Sequence, residues 1–213
     1  MRSLFLSSLV LLLLLSGCAS LKPHGLKPCK GAAPSAEGLR SPYKGRFEKM
    51  LFKATIDIRN QHLTGLMLIK AMPDSSVRIF FTNEIGMTYF DFIMKNGTFQ
   101  AAYCFDPMNK KVVISLFRTC FELMLDYDVQ DAKHVEYCEV ATGNPVTQGR
   151  FGKYNVWAGR IGSEPRTSFI QGMSNLSDQT IINFSDYRSD IPLSVSINNP
   201  FVNMRIRLQM LSF

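Results

Sequence analysis

Residues 77–94 read VRIFFTNEIGMTYFDFIM and set the pattern for the rest of the chain. Apolar side chains recur on both sides of a short link, which predicts the two strands of a hairpin. Asn83 and Gly86 suit the turn because both residue types tolerate positive φ. Ile85 and Met87 do not suit it, because a turn faces water. We expect this apolar tip to be tucked back, buried by a neighbour or offered to a partner.

The same kind of pattern continues before and after this hairpin and predicts about eleven strands with short turns. Residues 106–125 are the exception. Asp106 and Pro107 suit the start of a helix, and apolar residues then recur at helical spacing. We therefore predict an α+β, mainly β, fold: a curved antiparallel sheet that forms an incomplete barrel with a helical lid. The predicted strands lie at 46–59, 63–72, two within 77–94, 98–105, 135–142, 153–161, 166–171, 180–187, 193–197 and 202–211.

Composition limits the possible functions. The chain of 213 residues allows one domain and a short leader, and a hydrophobic fraction of 46% permits a sizeable core. The net charge of +7 is a modest basic excess, which favours contact with anionic lipid surfaces or aids solubility. Because the sequence contains no basic stripe with interleaved aromatic residues, we do not expect it to bind nucleic acid.

The N-terminus has the features of a bacterial secretion signal. Arg2 supplies a positive charge, and residues 9–15 form an apolar run that is too short to span a membrane. The run ends in LSGC at residues 15–18, which resembles the lipobox of bacterial lipoproteins. This resemblance implies that Cys18 is acylated and becomes the mature N-terminus. The alternative is an ordinary secretory signal with an incidental cysteine.

These features divide the chain into three parts: a signal peptide at residues 1–17, an acylated cysteine with a flexible tether at 18–42, and a folded domain at 43–213. The tether is rich in proline and glycine, which is typical of a flexible linker. Ala19 follows the cysteine, and this resembles the signal for transfer to the outer membrane. We therefore expect a lipid-anchored protein of the bacterial outer membrane that faces the periplasm.

The remaining cysteines and histidines do not point to catalysis. The periplasm permits disulfides, and four cysteines allow three pairings, so the pairing stays open. The sequence contains no CxxC, GxSxG, HExxH or P-loop motif, and no histidine stands at a ligand spacing to another. We predict no enzyme activity, no catalytic residue, no cofactor and no metal site. The four cysteines are Cys29, Cys104, Cys120 and Cys138.

Residues 82–88, TNEIGMT, are similar to a Thr-Asn-Pro-Leu-Gly-x-Thr segment of the LolA/LolB superfamily, where it also joins two strands. The order of lipobox, tether, meander, helix and meander agrees as well. The chain thus resembles the LolB-like outer-membrane lipoprotein receptors of this superfamily. The resemblance is diffuse over residues 45–213 and depends mainly on the one short motif.

The resemblance implies a function in lipoprotein delivery. As partners we expect lipoprotein acyl chains or lipid, a periplasmic LolA-like carrier and the outer membrane, and we expect a monomer. In the family, an apolar residue at the hairpin tip projects towards the membrane. Ile85 takes that place here, so Ile85, Gly86 and Met87 are the predicted membrane-insertion loop. Glu84 replaces the proline of the family and adds a charge beside the tip. The alternative is that Ile85 is tucked into the core.

An acyl chain needs a dry lining, and apolar residues of the sheet and helix are the candidates. The alternative is that these residues pack on each other and leave no cavity. A second possible function is that of a structural or assembly lipoprotein, which would use an open sheet edge for protein contacts. The candidate lining residues are Phe52, Ile56, Phe90, Phe92, Phe117 and Phe121.

Overall fold

The computed structural model describes residues 23, 25–29, 40–126, 136–161, 166–175 and 178–212. Within these residues the chain forms one antiparallel sheet of thirteen strands, with one helix against its inner face. The strands are β1 Leu26–Pro28, β2 Lys49–Ile58, β3 Gln61–Ala71, β4 Val77–Thr82, β5 Thr88–Lys95, β6 Thr98–Cys104, β7 Glu136–Glu139, β8 Pro145–Phe151, β9 Tyr154–Arg160, β10 Thr167–Asn175, β11 Asp178–Arg188, β12 Ile191–Asn199 and β13 Met204–Ser212.

The spatial order of the strands is β1-β7-β8-β9-β10-β11-β12-β13-β2-β3-β4-β5-β6. The last strand pairs with the second, so Met204 lies opposite Ile58 and the two meanders become one sheet. Strands β1 and β6 are the two edges among the described residues, and the sheet is therefore open. The predicted α+β, mainly β, class and the antiparallel meanders are confirmed, but the strand number is thirteen rather than eleven.

The sheet must curve around the helix. Flat, thirteen strands would span about 58 Å across the sheet. The helix and its continuation are 16 residues long, or about 24 Å. Side chains from β2 to β6 and from β9 to β13 nevertheless join the helix in a single buried cluster. Strands that far apart along the sheet can reach one short helix only if the sheet wraps around it.

Strand β8 was not predicted because its sequence carries little apolar signal. It begins with Pro145, contains Gly149, and has Val146 and Phe151 as its large apolar residues. The inner face of β8 is nevertheless buried, and Thr147 on it is almost fully buried. Neighbouring strands on both sides hold β8 in place, and a single-sequence pattern does not reveal such pairing.

The first strand corrects part of the predicted tether. Leu26–Pro28 pairs with β7, so that Lys27 lies opposite Cys138, and Cys29 forms a disulfide with Cys138 across a Cα–Cα distance of 5.6 Å. This short piece is therefore fixed to the sheet edge rather than flexible. The predicted signal peptide and the cysteine predicted to be acylated, Cys18, fall outside the described residues, and the domain boundaries stay predictions.

The helix begins later than predicted. Asp106–Met108 forms a separate 3₁₀ turn, and helix α1 runs from Lys111 to Phe121, preceded by Lys110, whose side chain makes no capping hydrogen bond. Asp106 is therefore not the helix cap. A π-helical turn, Glu122–Asp126, continues α1. The apolar stripe of the helix is buried as its spacing predicts, and the thiols of Cys104 and Cys120 are buried too.

Candidate functional site at the hairpin tip and the inner face

The hairpin tip, residues 83–87, joins β4 to β5 and is braced from within. The side-chain oxygen of Asn83 accepts hydrogen bonds from the backbone N–H groups of Ile85 at 3.1 Å and Met87 at 2.7 Å. Its backbone N–H donates to the carbonyl of Met87 at 3.0 Å, and Gly86 adopts a φ of 88°. An Asn side chain that replaces backbone partners in this way fixes the turn. The tip is thus a shaped element.

The tip presents apolar side chains to solvent. Ile85 is 90% exposed and Met87 is 44% exposed. The alternative that Ile85 is tucked into the core is therefore wrong. Glu84 is also exposed and stands next to Ile85, so a carboxylate accompanies the apolar side chain. Insertion of Ile85, Gly86 and Met87 into a membrane stays a prediction, but the loop has the exposure that such a role requires.

Gly65 on β3 is a residue that sequence reasoning missed. A Cβ atom at this position would lie 1.9 Å from the carbonyl oxygen of Thr82 and 2.8 Å from the Cα atom of Asn83. The side chains of Leu63 and Met67, which lie on the same face of β3 as Gly65, are buried on the inner face. The backbone of Thr82 and Asn83 therefore lies over Gly65 on that face, and only glycine leaves room for it. The signal in the sequence was a lone glycine inside a strand.

The inner face beneath the helix is filled with aromatic rings. The rings of Phe90 and Phe92 stack with their centroids 4.4 Å apart. The ring centroid of Phe117, on the helix, lies 5.1 Å from that of Phe90. Phe121 lies 6.1 Å from Phe117. Such contacts are typical of a packed core. All six predicted lining residues are fully buried in this one cluster: Phe52, Ile56, Phe90, Phe92, Phe117 and Phe121.

The open space lies elsewhere. A cleft of about 800 Å³ runs between the helix, the β5–β6 turn and the β8–β9 turn. None of the six predicted residues lines it. Its apolar walls come from other positions, because the six are fully buried in the core cluster. The lining is mixed, with Lys95, Arg118, Glu122 and Lys153 among its polar groups and with the apolar side chains Phe47, Val77, Met94, Leu125 and Phe151.

Polar contacts hold the helix over the inner face. Arg118 donates to the carbonyl of Gly97 at 2.7 Å and pairs with Glu122 at 2.8 Å. The hydroxyl groups of Thr119 and Tyr154 lie 2.7 Å apart. These contacts join the helix to the β5–β6 turn on one side and to β9 on the other. The buried rings of Phe117 and Phe121 add apolar contacts between α1 and the sheet.

The segment that enters the domain is fastened to the far end of the helix. Ser41 donates to the carbonyl of Met124, and Lys44 pairs with Asp126 at 3.1 Å. The hydroxyl group of Tyr43 donates to the carbonyl of Pro192 at 2.7 Å. Burial raises the pKa of Tyr43, so this hydroxyl keeps its proton. The chain therefore reaches β2 across the end of α1 and helps to hold it.

The cysteine thiols and potential metal ligands show no reactive arrangement among the described residues. Burial, with a smaller effect of Asp106, raises the pKa of Cys104 to about 11, so the thiol is protonated at neutral pH. The described ranges contain no cluster of three or more potential metal ligands. His62 contacts Asp57, whereas His24 and His134 fall outside the described residues.

No helix in the part of the chain that the structure describes is long and apolar enough to cross a bilayer.

The fold and the site together define an open antiparallel sheet that wraps one helix and projects an apolar hairpin tip. No protein-family model matches the chain, and no curated protein sequence matches it. It is similar in structure to a domain described as an outer membrane lipoprotein-sorting protein from Vibrio parahaemolyticus, with 9% identity, a TM-score of 0.46, and coverage of 80% of this chain and 86% of that one.

It is also similar to a LolA superfamily protein from Nitrosomonas europaea, with 7% identity, a TM-score of 0.45, and coverage of 83% of this chain and 88% of that one. The superfamily resemblance of residues 82–88 therefore stays a prediction.

Proposed function

We propose that this protein is a lipid-anchored protein of the bacterial outer membrane that binds acyl chains of lipoproteins or lipids and helps to insert them into that membrane. The observation that carries the proposal is the 90% exposure of Ile85 on a tip that its own hydrogen bonds hold in shape. Full burial of an isoleucine side chain contributes about 1.5 to 3 kcal/mol. A tip that leaves this side chain in water can gain that free energy from a bilayer.

The cleft beside the helix is the proposed entry site for an acyl chain. Its volume lies within the range of about 300 to 1,000 Å³ that is usual for small-molecule sites. Deeper binding requires α1 to move away from the sheet, because the aromatic cluster occupies the space beneath it. In this proposal the six predicted lining residues meet the acyl chain only after that movement.

The proposed anchor restrains the domain more than the predicted tether implies. If Cys18 carries the lipid, residues 18–26 span at most about 28 Å when fully extended. Beyond them the chain is fixed to the sheet by β1 and by the disulfide of Cys29. The β1 edge would therefore stay within that distance of the membrane, which keeps the domain close to the surface.

A second candidate function is that of an assembly lipoprotein, and one specific observation favours it. The inner face is already filled by the protein's own side chains, so the fold needs no lipid to complete its core. Strand β6 is an open edge among the described residues, and Tyr103 on it is 49% exposed. An open edge of this kind can pair with a strand of another protein.

Binding and transfer of an acylated peptide separate the two functions. We expect the purified full-length protein to bind a fluorescent triacylated peptide saturably and to pass it to vesicles. The same peptide without acyl chains is the control and should not bind. Absence of saturable binding would contradict lipid handling and favour the assembly function. In the native host, depletion of the protein should mislocalise other lipoproteins, whereas unchanged sorting would argue against a receptor.

A further inference from the structure

A second apolar side chain projects at the turn between β12 and β13. Phe201 is 67% exposed, although its ring is among the largest apolar side chains in the protein. We call residues 200–203 the Phe201 turn. Its Asn203 accepts a backbone hydrogen bond from Arg59 at 3.4 Å, and Met204 pairs with Ile58. The Phe201 turn therefore lies directly beside the turn that joins β2 to β3.

The Phe201 turn and the hairpin tip lie at the same end of the sheet. In an antiparallel sheet, alternate turns fall at the same end. The order β12-β13-β2-β3-β4-β5 places the β12–β13, β2–β3 and β4–β5 turns together. Four strand spacings separate the first turn from the last, which is about 19 Å along the sheet. Two exposed apolar side chains, Phe201 and Ile85, thus mark one end of the molecule.

Two of the strands that lie between these points, β13 and β2, are basic. Strands β2 and β13, with the turn that follows β2, contain five basic side chains and one carboxylate, Asp57. Arg207 neutralises this carboxylate at 3.0 Å, and His62 contacts it as well. The inward positions of both strands are apolar and buried, so the charges face outward. The five are Lys49, Lys53, Arg59, Arg205 and Arg207.

We propose that the Phe201 turn, together with Arg59 and Arg205, is a second membrane contact that selects bilayers with anionic phospholipid headgroups. The inference extends the proposed function, in which Ile85 makes the first contact. An aromatic ring flanked by arginines suits the interface of a bilayer, where the ring meets the acyl boundary and the guanidinium groups meet phosphates. A contact made by charge alone would not need an exposed aromatic ring.

Two membrane contacts can fix the orientation of the domain, whereas one contact cannot. A single inserted side chain allows the domain to pivot about the hairpin tip. A second contact four strands away along the sheet fixes the orientation of the sheet against the membrane. Since the charges that support it are exposed, their attraction to the surface falls as salt is added. The contact should therefore be strengthened by anionic lipid and weakened by salt, whereas insertion of Ile85, which has the carboxylate of Glu84 beside it, should not be strengthened by anionic lipid.

An environment-sensitive fluorophore tests this contact directly. Full-length Phe201→Cys protein is labelled with NBD and mixed with vesicles of phosphatidylglycerol and phosphatidylethanolamine, or of phosphatidylcholine alone. We expect a blue shift with the anionic vesicles and its loss at high salt. The control is Leu211→Cys, which is also exposed and lies near the other end of β13. No shift at position 201, or an equal shift at position 211, would overturn the proposal.

Charge variants provide the second measurement. In the labelled Phe201→Cys protein, Arg59→Gln with Arg205→Gln should raise the lipid concentration for half of the shift by about fivefold per charge removed. The matched control is Arg188→Gln, which removes an exposed charge at the other end of the sheet. An effect per charge removed that is equal in the double variant and in the control would show that these two arginines do not select anionic lipid.

Failure of this inference is distinguishable from failure of the proposed function. Acylated-peptide transfer is measured with the same vesicles. A shift at Phe201 without transfer supports the second contact and contradicts lipid handling. Transfer without a shift at Phe201 supports lipid handling and overturns the second contact.

Discussion

Within the hairpin formed by β4 and β5, most of the apolar residues of strand β5 are buried, whereas those of the tip are exposed. We call these two regions the buried half and the tip half of the hairpin. Phe90 and Phe92 are fully buried and stack on each other beneath the helix, whereas Ile85 and Met87, a few residues earlier, are exposed to solvent. Both regions are apolar in sequence, and both have defined contacts within the protein. The difference is that the rings pack against one another, whereas the contacts within the tip are hydrogen bonds to its own backbone and leave the side chain of Ile85 in solvent.

This contrast separates stability from function within one hairpin. A residue whose contacts lie inside the protein should affect the free energy of unfolding when it is changed. A residue whose contacts lie outside the protein should affect activity and leave the fold intact. The same comparison extends to Phe201, which is exposed like Ile85 but sits beside arginines rather than a glutamate.

The largest expected effect is that of truncating the buried half. Phe90→Ala should lower the free energy of unfolding by about 3 to 5 kcal/mol, because it removes a ring that contacts Phe81, Phe92 and Phe117. Urea unfolding measures it. Met87→Ala in the same hairpin is the control and should change stability by less than about 0.5 kcal/mol. Equal effects would show that the two halves do not differ.

A smaller effect is expected where the two halves meet. Gly65→Ala places a methyl group against the backbone of Thr82 and Asn83, which should cost about 1 to 3 kcal/mol and displace the tip. Hydrogen exchange of the amides at residues 83–87 should accelerate. Thr64→Ala, an exposed position on the same strand, is the control. Unchanged exchange at the tip in Gly65→Ala would mean that the close approach of Thr82 and Asn83 to Gly65 does not position the tip.

The sequence predicts well those features that alternation and turn residues encode. Eleven strands, the meander connections and the apolar stripe of the helix follow from local patterns. It fails where pairing supplies the structure: β8 has few apolar residues, and Leu26–Pro28 lies in a segment rich in proline and glycine. Both become strands because a neighbour provides hydrogen bonds and, at Cys29, a disulfide.

The candidate site shows the same division. Exposure of Ile85 was one of the predicted possibilities, because Asn83 and Gly86 mark a turn. Whether Phe90 and Phe117 line a cavity or fill it depends on the distance between helix and sheet, and no local pattern contains that distance. The role of Gly65 depends on where the backbone of Thr82 and Asn83 lies, so a lone glycine could indicate only that a close approach was needed.

Transfer of acylated peptide by Ile85→Glu protein tests the central claim most directly, namely that the exposed tip acts on the membrane. The account predicts that Ile85→Glu binds the peptide as tightly as the unchanged protein and unfolds at the same urea concentration, but passes little peptide to vesicles. Ile85→Leu keeps the apolar side chain and should transfer normally. Normal transfer by Ile85→Glu would contradict the account.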